Sequence, residues 1–444
     1  MAAEHTVILG TGIIGVASAY YLSLSVPPST IHLVDPALSL FSSASGHAGG
    51  FLAKDWFSPK LESLGELSYE EHKKLAEENG GAKKWGYSTS QAVSYSPVNA
   101  IKGERSDDWL RSGASRSNAA KGTDVEGTAT GIEAESAGDK RNAAEETSGS
   151  KDLGEQMPWL RRDEGDTVES ISTPGTTAQV DPKKLSEWLL KQCLERGVQL
   201  HHPAEAVSID KDMRDSLSSV RIVDKNSEHE VDIPCTRLII CAGLWTPKVF
   251  ERLFPGSGLK LPISSIAGHS IIVRSPKWHG ATTTDKPEEA CHAIFTAESG
   301  EGFAPELFTR SNGDIYLAGL NTHHEDQMGF EPPSPAAPSQ PLCDHIQKLN
   351  NVAAQLLGGE LQTVKTALCY RPVTRSGLPI IERLRDEDLG GVKTLKGGEG
   401  GVYVVCGHGP WGISLSLGTG KVVSEMVRGV KTSADIKGLS LKAR

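Results

Sequence analysis

His5-Thr6-Val7-Ile8-Leu9-Gly10-Thr11-Gly12-Ile13-Ile14-Gly15 stands at the head of the chain, and its reading decides the fold. The β-branched run His5 to Leu9 predicts a short strand, and the Ala/Tyr/Leu-rich stretch Ile14 to Leu24 predicts a helix ended by Pro27-Pro28. Ile31-His32-Leu33-Val34 reads as a second strand closing on Asp35. Strand, glycine turn, helix and strand at this length make a βαβ unit, whose parallel strands imply a buried, doubly wound sheet.

The glycines have separate physical duties. Gly10 permits the tight turn, Gly12 lets backbone approach a pyrophosphate, and Gly15 lets helix and strand pack closely. Unpaired N–H groups at the helix N-terminus, with the positive end of the helix dipole, favour bound phosphate. Gly10, Thr11, Gly12, Ile13, Ile14 and Gly15 are therefore the expected phosphate-binding loop. Asp35 lies twenty residues beyond Gly15, where its carboxylate can accept hydrogen bonds from ribose hydroxyls. The competing reading is a glycine turn needed only for packing.

Working outward, Ser42-Ser43-Ala44-Ser45-Gly46-His47-Ala48-Gly49-Gly50-Phe51 is a run of small residues directly after the ribose acid. It allows close backbone approach to a planar ligand. From about Gly103 to Gln156 the composition shifts to Gly, Ala, Ser, Thr, Glu and Lys, too poor in apolar groups to offset ordering entropy, so a disordered surface insertion is expected. Asp181-Pro182 then opens an amphipathic helix with Leu185, Leu189, Leu190 and Leu194 on one face, running to Gly197. Leu238 to Gly243 reads as another buried parallel strand. Alternation between about Lys260 and Asn321 suggests an antiparallel sheet. A Pro-rich connector, Pro332 to Pro341, leads to a helix over Leu342 to Leu357. Val402 to Cys406 reads as a last strand, running into Gly407-His408-Gly409-Pro410-Trp411-Gly412-Ile413 and a helix expected from near Ile413.

These segments together resemble the D-amino-acid oxidase, glycine oxidase and sarcosine oxidase group of FAD enzymes. The resemblance rests on the N-terminal βαβ unit, the Ser42 to Phe51 run, Val180-Asp181-Pro182, Ala242-Gly243-Leu244-Trp245, Tyr370-Arg371-Pro372 and the Gly407 to Ile413 turn. It implies an α/β plus α+β fold: a Rossmann-type FAD-binding domain from 1–60, 176–262 and 366–436, beneath a mainly antiparallel substrate domain from 61–102, 157–175 and 263–365. It further implies that Ser42, Ser43, Gly49, Gly50, Phe51, Ala242, Gly243, Gly407, His408, Gly409, Gly412 and Ile413 surround the flavin. Val207 would meet the adenine through its backbone.

Arg371 is the candidate catalytic-pocket residue, placed where the group's Arg-Pro pair grips a substrate carboxylate. A permanently charged, planar fork suits that task, with two parallel hydrogen bonds. The bland alternative is an ion pair with Glu382. Cys369 falls where the sarcosine oxidase branch links covalently to the flavin, although its flanks resemble the non-covalent glycine oxidase branch. His47 sits in a run similar to the flavin-attachment segment of dimethylglycine dehydrogenase. The implied reaction is oxidation of the C–N bond of a small, carboxylate-bearing amine by hydride transfer to flavin N5, by an oxidase rather than a dehydrogenase. The alternative is an FAD-containing interaction or regulatory protein with little turnover. An NAD-dependent dehydrogenase would leave Ala242-Gly243 and the terminal turn unexplained.

The bulk properties fit this picture. A chain of 444 residues predicts two or three domains, and its formal net charge of −10 argues against a nucleic-acid partner. Seven cysteines without C-x-x-C spacing read as reduced thiols rather than a disulfide framework or zinc site. His323-His324-Glu325 does not read as a metal cluster, because neighbouring side chains on a strand point to opposite faces. There is no transmembrane-length apolar run, no room for a signal peptide before the first strand, and no S-K-L at the C-terminus, so cytoplasmic residence is expected.

Overall fold

Thr6–Leu9 is buried along its whole length, as a strand covered on both faces must be. It pairs in parallel with Ile31–Val34 on one side and Arg237–Ile240 on the other. Gln199–His201 extends this sheet beyond Ile31–Val34, and Gly401–Cys406 extends it beyond Arg237–Ile240, both in parallel. Ile380–Arg383 closes the six-stranded sheet as an antiparallel edge. The structure is a computed structural model that describes residues 4–98, 156–280, 291–298, 300–323 and 339–441. The 103–156 stretch, apart from its last residue, lies outside the described residues, as do His324, Glu325 and the first part of the Pro332 to Pro341 connector.

Helix Ile13–Ser23 lies on one face of this sheet, with Val16, Ala17, Ala19 and Leu22 buried. It packs tightly against helix Ser416–Val427: a Cβ on Gly420 would stand 2.6 Å from the carbonyl carbon of Ala17. Asp181 caps helix Pro182–Arg196 by accepting hydrogen bonds from the backbone N–H groups of Lys183 and Lys184. On this helix Leu185, Leu189 and Leu190 face the core, but Leu194 is 42% exposed. Cys193 fills the buried place instead, because 185, 189 and 193 recur at four-residue spacing and 194 has rotated past the seam.

The second layer is mainly antiparallel. Ile263–Arg274 pairs with Gln362–Thr374 along its full length, and on its other edge with Asp314–Ala318 and Asn321–His323. Asp314–Ala318 continues through Glu306–Thr309 to Cys291–Thr296. The last of these pairs in parallel with Ser88–Ser96, a parallel pairing within a mainly antiparallel layer. Cys343–Leu357 forms the expected helix. The helix expected from Ile413 begins only at Ser416; Gly409–Trp411 is a single tight turn, since Gly409 takes φ +56° and Pro410 supplies no N–H. The fold is thus a Rossmann-type α/β part joined to a mainly antiparallel β part. All seven cysteines are free, and among the described residues no helix is long and apolar enough to cross a membrane.

Candidate active site and cofactor cleft

The carboxyl ends of the parallel strands open into a cleft of about 1790 Å³, counting space open to solvent. This is where ligands bind in open α/β sheets. Gly10, Gly12, Ile13 and Ile14 line it at one end. Gly10 has φ +103°, and a Cβ there would meet the backbone of Cys241 and Ala242 at 2.7–2.9 Å. Gly15 lies behind the wall, where a Cβ would stand 2.0 Å from the Gly10 carbonyl oxygen, the close helix–strand contact expected of it. The first helix begins without a side-chain cap from Gly12 and without an acidic residue in its first turn. Among the described residues only Ser45 Oγ reaches in, accepting from Ile13 N at 2.9 Å. A helix start with no carboxylate of its own fits a diphosphate.

Asp35 lies on the wall at the end of its strand. Its Oδ2 accepts from Thr11 N at 2.7 Å and its Oδ1 from Ala37 N at 2.9 Å. Thr11 itself is buried behind the wall. A carboxylate has about four lone-pair directions, so Asp35 keeps capacity for ribose hydroxyls. Burial raises its pKa, against the lowering effect of those two N–H donors. Ala204, Glu205 and Ala206 face it from the next sheet. Val207 does not line the cleft: pairing with Leu217–Asp224 shifts register between Ala206 and Ser208, which places 207 in a bulge.

Ser42, Ser43, Gly49, Gly50 and Phe51 line the middle of the cleft with Ala242 and Gly243. Gly49 is forced by packing, since a Cβ would stand 2.6 Å from the Phe308 ring and 3.0 Å from that of Tyr316. His408, Gly409, Gly412 and Ile413 close the far side. Gly407 sits just outside, its φ of +82° turning the chain where a Cβ would meet Thr374 Cγ2 at 2.7 Å. His408 is fully buried, with Nε2 3.1 Å from Thr419 Oγ1, and burial pushes its pKa down to about 3. It is therefore a neutral imidazole.

Arg371 and Cys369 lie on one face of Gln362–Thr374 and both reach the cleft. The Cys369 side chain is buried. Arg371 Nη1 donates to Asn321 Oδ1 at 2.7 Å, and among the described residues no carboxylate lies within ion-pair distance of its guanidinium. Glu382 instead accepts from the Leu441 N–H. His47 is turned out of this cleft into a second cavity.

Sequence reasoning missed Glu306, Phe308, Tyr316 and Ala318, which form one wall of the cleft, and Asn321, which holds Arg371. Glu306 pairs across the ladder with Ala318, and Phe308 with Tyr316. Their alternation marks one face of a sheet, but not which face meets a ligand. Among the described residues there is no cluster able to hold a metal ion.

The family model for FAD dependent oxidoreductase matches residues 5–426. A Schizosaccharomyces pombe protein named "Putative oxidoreductase" is 26% identical over 98% of this chain and 96% of its own length. A D-amino acid dehydrogenase of Neisseria meningitidis is 24% identical over 58% of this chain and 50% of its own. Among solved structures, glycine oxidase from Geobacillus kaustophilus superposes with a TM-score of 0.66 at 18% identity, covering 98% of this chain and 97% of that one.

Proposed function

Because this chain belongs to the family of FAD-dependent oxidoreductases, we propose that it oxidises the C–N bond of a small amino or imino acid. FAD is the family's cofactor, and when bound it supplies the two-electron acceptor for hydride transfer at N5. The observation that carries the substrate class is Arg371: a guanidinium on the cleft wall, held by Asn321 and with no carboxylate beside it among the described residues. A buried or half-buried cation facing a cleft without a counter-ion is matched by an anionic ligand. Support also comes from the relatives' printed names, which include a D-amino acid dehydrogenase and a glycine oxidase.

In this reading the Gly10 to Gly15 turn holds the diphosphate and Asp35 the ribose. The backbone of Gly49, Gly50, Ala242 and Gly243, which lines the middle of the cleft, would hold the ring system. Arg371 receives the substrate carboxylate bidentately and so fixes the amine-bearing carbon relative to the ring. Phe308 and Tyr316 exclude water from that side. His408 stays neutral and places no positive charge near the ring. Cys369 packs as a small apolar group, without a thioether. Molecular oxygen is the electron acceptor, making the protein an oxidase. The domain partition at 1–60, 176–262 and 366–436 against 61–102, 157–175 and 263–365 follows the same reading.

The test is anaerobic mixing of the purified holoprotein with a panel of amino and N-methylated amino acids. Bleaching of the oxidised flavin band by a carboxylate-bearing amine supports the proposal. Inertness across the panel overturns it in favour of a binding role, and reoxidation by air with peroxide release separates oxidase from dehydrogenase.

A further inference from the structure

The small-residue run that lines the flavin cleft has a second side. Gly46 and His47, with Ala48 from the cleft wall, line a separate cavity of about 720 Å³, counting space open to solvent. Tyr316 lies between the two spaces and lines both. Four successive carbonyls of the run are held from that cavity by side chains of the antiparallel part. Lys365 Nζ donates to Gly46 O at 3.0 Å, and Tyr316 Oη donates to His47 O at 3.3 Å. Arg310 Nη2 approaches Ala48 O at 3.5 Å and Gly49 O at 3.3 Å.

The charges around this cavity do not balance. Lys183, Arg310 and Lys365 line it against the carboxylates of Asp181 and Asp314. Asp314 is already engaged by Arg274 Nε at 2.9 Å and by Asn312. Asp181 caps its helix through Oδ1, and its Oδ2 stands in ion-pair distance of Arg310 Nη1, at 3.9 Å. The Arg310 side chain is about nine-tenths buried, and its bonds into the run are to carbonyls rather than to an anion. Burial lowers the Lys365 pKa, and the neighbouring charges of Arg310 and Lys183 lower it further. Arg310 is thus compensated by Asp181, and the half-exposed Lys183 by Glu187 at 3.8 Å, which leaves Lys365, bonded to a carbonyl, as the lining cation with no carboxylate in ion-pair distance among the described residues. The N-terminal end of helix Pro182–Arg196 points its positive dipole into the same space.

We propose that this cavity is a second ligand site, taking a small oxyanion — a carboxylate or a phosphate — between Lys183, Lys365 and Arg310 on the far side of the Gly46 to Gly49 run from the flavin. The two sites share that run as a common wall, so an occupant drawing Lys365 or Arg310 away from the carbonyls shifts the backbone that faces the ring. The site is distinct from the Arg371 position, and its existence does not depend on the substrate proposed above.

Calorimetric titration of Arg371→Met holoprotein, which lacks the cleft guanidinium, separates the two sites. Phosphate and acetate are titrated individually at constant ionic strength against chloride, with the visible flavin band recorded in parallel. One equivalent of saturable binding with a band shift is expected, and the stronger of the two anions identifies the occupant's chemistry. Adding Lys365→Met should weaken it by about tenfold, the loss of a charge-assisted hydrogen bond. Adding Lys183→Ala, at a position exposed enough to leave folding intact, should weaken it by roughly threefold or more. Absence of saturable binding by either anion overturns the proposal. So does binding that both lysine substitutions leave unchanged. Retained anion binding with no bleaching by any amine would remove the substrate assignment and leave this site standing.

Discussion

A Cβ on Gly268 would stand 2.5 Å from Arg371 Nη2, so the guanidinium lies across the neighbouring strand only because position 268 has no side chain. Gly268 pairs with Cys369, two residues before Arg371. The obstructed group is the far end of a flexible side chain, which can swing aside at small cost. Gly268→Ala should therefore leave the melting temperature within a few degrees of the parent while moving the cation. Expected is a roughly tenfold rise in KM for the amine, with flavin content unchanged. Unchanged KM would show that Arg371 need not lie across 268.

Removing the charge itself should be harsher. Arg371→Met strands a substrate carboxylate in the cleft, a loss of about 3 kcal/mol or more if water is excluded, or about two orders of magnitude in kcat/KM. Arg371→Lys keeps the charge but loses the fork, and should fall between. Asn321→Ala frees the guanidinium without deleting it, and should cost about fivefold to tenfold. Steady-state kinetics on the three variants, each checked for bound FAD, gives the order. A Met variant as active as the parent would remove Arg371 from the substrate site.

The glycine turn makes a different prediction, because its obstruction is backbone. Gly15→Ala places a methyl 2.0 Å from Gly10 O. Helix and strand must separate, which costs roughly 1–3 kcal/mol and opens the phosphate loop. The purified variant should hold little flavin and melt lower even in the apo form. Parent-like FAD content would show that the helix can retreat without disturbing the cleft.

The contrast between these residues explains what was legible in the sequence. Gly10, Gly12, Gly15 and Asp35 act within one βαβ unit, so their roles follow from local spacing and need no knowledge of distant chain. Arg371 could be nominated from its neighbour Pro372, but Gly268 and Asn321 could not, because only the register of Ile263–Arg274 with its two partners brings them to the guanidinium. Phe308 and Tyr316 were hidden for the same reason. Val207 lies in a bulge off the cleft wall, a one-residue irregularity that periodicity does not reveal. The second cavity joins positions near 47, 183, 310 and 365, separations that no motif spans.

Leu194 shows the limit of counting apolar residues on a helix. Since it is largely exposed while Leu189 is fully buried, the two leucines should respond differently. Leu189→Ala should cost about 2–5 kcal/mol through lost burial and a cavity. Leu194→Gln should change stability by less than about 0.5 kcal/mol. Denaturant melts of the two variants decide this, and equal losses would mean that position 194 is covered in solution.

His72 couples acidity to the cofactor turn. It is fully buried, its Nε2–H donates to Ile413 O at 3.0 Å, and its Nδ1 has no hydrogen-bond partner. Ile413 lines the cleft. Protonation would place a second N–H, and a charge, where nothing accepts them; burial accordingly pushes the His72 pKa down to about 4. The unfolded chain takes up this proton near its ordinary value of about 6.5. The unfolded state therefore binds more protons between about 6.5 and 4, and stability present above that window is lost as pH falls through it. At about 1.4 kcal/mol per pKa unit the loss reaches roughly 3 kcal/mol. His72→Gln retains an N–H donor but cannot titrate, so its stability should fall less steeply over the same range. Melting temperature and free-flavin fluorescence, followed from pH 7 to pH 4 in both proteins, test this. Parallel slopes would place the acid sensitivity in the other buried histidines, such as His292 and His408.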